Sequence, residues 1–167
     1  LLGKVPAAEF VNHITEKIQS YPGVIGVHDL MIHDYGPGNL FATVHVEFPA
    51  ETPVIEAHEI MDEIERDFQK QEHMILTIHY DPIVEESEEV AKIRAFVSQA
   101  AKEFDERLSI HEVRLVPGNL SSNVIFDCVK PAGFKASDSE ITSYLQKRVT
   151  EWNPRYRCVI KVEQSYV

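Results

Sequence analysis

Pro37-Gly38-Asn39-Leu40 recurs as Pro117-Gly118-Asn119-Leu120, and that repeat decides how the chain is divided. Ordered self-similarity of this kind marks tandem structural units. Working outward, His28-Asp29-Leu30 answers to His111-Glu112-Val113, with the second copy three residues shorter before its turn. Downstream, Val44-His45-Val46-Glu47 aligns with Val124-Ile125-Phe126-Asp127. The likeness is weak at any one residue but keeps its order, so two copies are expected, residues 1–83 and 84–167.

Each copy reads as helix, strand, strand, helix, strand. After Pro6, a residue favoured in a first helical turn, Phe10, Val11, Ile14 and Ile18 recur at helical spacing until Pro22-Gly23. Strands follow at about 24–33 and 40–48, flanking the hairpin signal Gly36-Pro37-Gly38-Asn39. Thr52-Pro53 opens a second helix whose stripe is Val54, Ala57, Ile60, Met61, Ile64 and Phe68. A strand from Ile75 to Tyr80 ends at Asp81-Pro82. In the second copy the pattern gives a helix over 86–104, strands over 110–116 and 123–129, a helix to Trp152 and a strand over 156–163. Ser137-Asp138-Ser139-Glu140 forms a capping box. The acidic run Glu85-Glu86-Ser87-Glu88-Glu89 reads as a helix start favoured by the dipole. The fold class is therefore α+β: two tandem ferredoxin-like (αββαβ) sandwiches, each a three-stranded antiparallel sheet with two helices on one face.

With 44% apolar and 26% charged residues among 167, the composition is that of a globular chain. No apolar run approaches the roughly 20 residues that span a bilayer, and Leu1-Leu2-Gly3-Lys4-Val5-Pro6 lacks the core of a signal peptide. The start at Leu1 rather than Met leads us to expect a longer parent protein. Cys128 and Cys158 lie in apolar strand-like stretches, where reduced cysteine packs as a small hydrophobe rather than forming a disulfide framework. A net charge of −11 argues against nucleic-acid binding. That charge is uneven. Residues 1–83 carry 14 Asp and Glu against 4 Lys and Arg, whereas residues 84–167 carry 13 against 12. Seven of the eight histidines also fall in the first half, so polar chemistry is expected there.

Strand alternation sorts those residues. Ala42, Val44 and Val46 share one face, and Thr43, His45 and Glu47 the other; Leu76 and Ile78 oppose Thr77, His79 and Asp81. His45, His79 and Asp81 can thus meet on the sheet face turned away from the helices. His58 lies at the margin of its helix stripe, and His28 enters the first strand after Gly26-Val27. Imidazole nitrogens with a carboxylate oxygen are the donors zinc and similar transition ions prefer, whereas calcium and magnesium take mostly oxygen. Isolated histidines are ordinarily packed or surface residues, so the residues alone leave both readings open. There is no phosphate loop, nucleophile elbow or Cys-X-X-Cys, and no enzyme is expected.

Val24-Ile25-Gly26-Val27-His28-Asp29-Leu30, Tyr35-Gly36-Pro37-Gly38, Val44-His45-Val46-Glu47, Glu56-Ala57-His58 and Ile78-His79-Tyr80-Asp81-Pro82 resemble, in order and spacing, the cytosolic C-terminal domain of cation diffusion facilitators. Leu1-Leu2-Gly3-Lys4 resembles the link that follows that family's last membrane helix. The resemblance implies a ferredoxin-like domain that forms a homodimer at the cytoplasmic face of the membrane, beneath its own transmembrane domain. It implies divalent metal, zinc or another transition ion, at or near the dimer interface, on His28, His45, His58, His79 and Asp81, with Asp81 able to bridge two ions. It places His13, His33 and His73 outside the ligand set. In the second copy it retains only His111, while the positions of His45, His58, His79 and Asp81 become about Ile125, Ser143, Glu163 and Ser165. A site from His111, Cys128 and Cys158 is disfavoured because both cysteines fall on the core side. The expected function is regulation of a divalent-cation efflux transporter. The alternatives are a free-standing metal buffer or chaperone and a metal-independent dimerisation module.

Overall fold

The computed structural model describes residues 5–165, so Leu1-Leu2-Gly3-Lys4 lies outside the described residues. The chain divides between Pro82 and Ile83 into two compact units. In the first, α1 (Ala8–Gln19), β1 (Gly26–Asp34), β2 (Leu40–Pro49), α2 (Val54–Gln71) and β3 (Met74–Ile83) follow one another. The second repeats the order with α3 (Glu88–Phe104), β4 (Ser109–Val116), β5 (Ser122–Lys130), α4 (Asp138–Trp152) and β6 (Tyr156–Gln164). Each sheet has three strands, ordered β1-β2-β3 and β4-β5-β6, giving two ferredoxin-like α+β units.

One detail of the expected topology is corrected. β4 and β5 are antiparallel, but β5 and β6 run parallel, so the second sheet is mixed. The 15-residue α4 between β5 and β6 is the reason, since a helical crossover returns the chain in the direction it left.

The apolar alternation puts the core where the sequence placed it. Ala42, Val44, Val46 and Phe48 of β2 meet Ile14 and Ile18 of α1 and Ala57, Ile64 and Phe68 of α2. Burying each of the larger side chains contributes roughly 1.5–3 kcal/mol against leaving it in water. Val54, expected in the α2 stripe, is instead exposed, and burial on that helix begins at Ala57. In the second unit Val124, Phe126 and Cys128 pack against Val90, Ile93 and Val97 of α3 and Ile141, Leu145 and Val149 of α4. Ser87 and Ser137 cap these helices by accepting from the Val90 and Glu140 amides. Cys128 and Cys158 are free, and burial pushes their thiols up to about 11 and about 12, so both are poor nucleophiles and ligands.

A β-bulge interrupts β1 between His28 and Met31, and another interrupts β4 between His111 and Arg114. Asp29 and Glu112 occupy the equivalent places, each with positive φ, 51° and 58°. The bulge therefore belongs to the repeat. The tetrapeptide that reveals the repeat does not align it: Gly38 takes φ +77° in the first hairpin, whereas Gly118 does not adopt a positive φ and sits so close to the Ser121 carbonyl that a Cβ would overlap it.

Candidate metal centre

His45 comes from β2, and His79 and Asp81 from β3; their core-facing neighbours Val44, Val46 and Leu76 fix them on the opposite face of the sheet. His28 reaches that face through the bulge. It pairs with His45 across β1 and β2, and the next pair is Met31 with Thr43, so three residues of β1 span two of β2. A left-handed Asp29 absorbs the extra residue. Plain alternation would have set His28 with Leu30 and Ile32. The result is a row of stacked imidazoles across three strands, with ring centroids 4.7 Å apart for His28 and His45 and 4.3 Å for His45 and His79.

Beneath the row lie Glu47 and Asp81, the buried charged side chains among the described residues, 2% and 3% exposed. Asp81 Oδ2 is 3.2 Å from His28 Nε2 and 3.0 Å from His45 Nδ1, and its Oδ1 is 3.5 Å from His79 Nε2. Glu47 Oε2 is 2.9 Å from His28 Nδ1. Burying an ionised carboxylate is costly unless cationic or donor partners surround it.

Donor counting sharpens this. Both ring nitrogens of His28 face carboxylates, yet a neutral imidazole donates from only one of them. One contact therefore needs a further proton, on the ring or on the carboxyl, or a cation held by both groups. Asp81 Oδ2 likewise takes two imidazoles at once. The donor set fits a transition ion, and ligand atoms come within 4.8 Å of one another in two overlapping groups: His45, His79 and Asp81, and His28, Asp29 and His45. An open depression of about 550 Å³ runs over the same face, bordered by Asp29, Met31, Thr43, His45, Thr77 and His79.

The structure brings together four of the five expected ligands. His58 is exposed on α2, whose buried residues cover the other side of the sheet, and it belongs to neither group. His13 bonds Glu72, His33 stacks on Tyr35, and His73 adopts a left-handed turn; none joins the row. Sequence reasoning missed two contributors. Glu47 shares the face of His45, so its alternation was the available signal. Gly26 pairs with Glu47, and a Cβ there would lie 2.9 Å from Glu47 Oε2; the absent side chain is the room the carboxylate uses.

Residues 6–83, which contain all of these side chains, match the family described as cation efflux protein, cytoplasmic domain. The first unit belongs to that family. Its members are parts of transporters rather than catalysts. Among curated relatives, the cation-efflux pump FieF of Yersinia enterocolitica is 41% identical over 58 residues, 35% of this chain and 18% of the pump. FieF of Pectobacterium atrosepticum is 37% identical over 71 residues, 42% of this chain and 23% of the pump. The chain thus spans less than a quarter of the curated relatives it matches. A solved structure of CzrB, described as a zinc transporter, is 32% identical, covering 47% of this chain and 98% of that one with a TM-score of 0.44. No helix among the described residues is long and apolar enough to cross a membrane.

Proposed function

We propose that this chain is the cytoplasmic regulatory part of a divalent-cation efflux transporter, that its first unit binds metal, and that binding favours one arrangement of a homodimer beneath the membrane part. The observation that carries the reading is the buried Asp81 carboxylate shared by His28 and His45 within reach of His79. Zinc suits these donors best, and FieF and CzrB are respectively a cation-efflux pump and a protein described as a zinc transporter. The ion would be held by His28, His45, His79 and Asp81.

His58 points to the second protomer. It lies on the far side of its own sheet, so it can serve as a ligand only in another copy. Beside it Val54 and Ile55 are 72% and 78% exposed, apolar surface suited to an interface. Two copies of a unit with so strong an acidic excess repel one another, and a divalent cation between them lowers that repulsion. Metal shifts the pairing only by its differential affinity for the two arrangements.

Sedimentation velocity of the chain with and without zinc tests this. We expect zinc to shift the population toward a tighter or more compact dimer, and His58→Ala to weaken that shift while leaving zinc bound to each protomer. Zinc binding with no change in association or shape would leave a metal buffer as the reading.

A further inference from the structure

Backbone register, rather than the repeated tetrapeptide, aligns the two units. His28 pairs with His45 just before the bulge, and His111 pairs with Asp127 just before its counterpart. The equivalent of His45 is therefore Asp127, two residues beyond the Ile125 that the tetrapeptide suggests. Asp127 pairs with Lys161 on β6, the place held on β3 by His79, whose ring stacks on His45. Two residues further on, Glu163 stands where Asp81 does. The row His28–His45–His79 above Asp81 thus becomes His111–Asp127–Lys161 beside Glu163.

The new row carries a cation of its own. Lys161 Nζ lies 2.9 Å from Glu163 Oε1. Glu47, the second buried carboxylate of the first unit, is replaced by Val129, and Gly26 opposite it by Ser109. With no carboxylate to accommodate, Ser109 keeps a side chain, whose hydroxyl lies 2.9 Å from His111 Nε2. Cys158, Ile160 and Val162 pack on the core side, so Lys161 and Glu163 share the outer face with Asp127. Burial, and then the neighbouring Glu163, raises the Asp127 carboxyl, and Arg114 and Lys161 offset this only in part.

We propose that Lys161 fills, with its own ammonium, the place that the first unit leaves for a metal cation, so that the second unit is a metal-independent copy and the first holds all the zinc the chain binds. The inference rests on metal binding by the first unit. It makes the chain a pairing of one metal-responsive unit with one whose charge pattern is fixed by a covalently attached cation.

The test uses the full chain with the first unit's donors removed by His45→Ala and Asp81→Asn, titrated calorimetrically with zinc chloride. We expect no saturable binding in that background, a regained saturable event when Lys161→His is added, and none with Lys161→Arg, which keeps the cation. Lys161 is largely exposed, so neither change threatens the fold, and circular dichroism checks each variant. Saturable binding with Lys161 intact, or no gain from Lys161→His in a folded chain, would overturn the proposal. A wild-type chain that binds no zinc would instead refute the first unit's assignment, and the Lys161→His result would still report on Lys161.

Discussion

Asp81 and Asp127 illustrate two ways of treating a carboxylate on the same sheet face. Asp81 is nearly fully buried among three imidazoles. Asp127 is partly buried beside Glu163, and burial followed by that charge raises its carboxyl above the ordinary range despite Arg114 and Lys161. A carboxyl raised by folding contributes stability that is present at low pH and lost as pH climbs through its folded-state value. Asp127→Asn should therefore raise the melting temperature at about pH 7 and lose that advantage toward about pH 3, below the ordinary aspartate range. Melting curves at the two pH values decide it; an equal shift at both would place the effect in packing rather than charge.

The strands and helices were legible because apolar spacing reports directly which face is buried. Ile14 and Ile18, Val44 and Val46, and Ile64 and Phe68 all lie in the core their periodicity implies. The bulges were not legible, because an extra residue leaves no mark in alternation until the partner strand's register is known. Asp29 and Glu112, both acidic and both left-handed, show that the repeat preserves a backbone conformation that its sequence does not announce. This is why His28 joined the site through the family resemblance rather than through alternation, and why the tetrapeptide set His45 against Ile125 rather than Asp127. The bulge also yields a prediction. Asp29→Val puts a β-branched residue at φ 51°, costing on the order of 1–3 kcal/mol, whereas Asp29→Gly fits that conformation. We expect the valine variant to lose zinc affinity together with stability. The glycine variant should keep the fold, and any affinity it loses then measures the Asp29 carboxylate itself. Chemical denaturation beside zinc titration separates the two effects.

At the scale of the whole molecule, two units of one architecture differ in charge and in donors. The acidic, histidine-rich first unit carries a face crowded with imidazoles over two buried carboxylates; the nearly neutral second carries a lysine in the corresponding row. The chain spans less than a quarter of those relatives' length, and the role proposed for it would act through the free energy that metal binding adds to one arrangement of protomers. Everything in that account depends on the first unit taking up metal at Asp81. The most direct measurement is calorimetric titration of the chain with zinc, beside Asp81→Asn, a substitution that preserves shape and removes the charge. The account predicts saturable binding by the wild type and at least about a tenfold loss of affinity in the variant. Equal affinity in the two, or no saturable binding by the wild type, would contradict it.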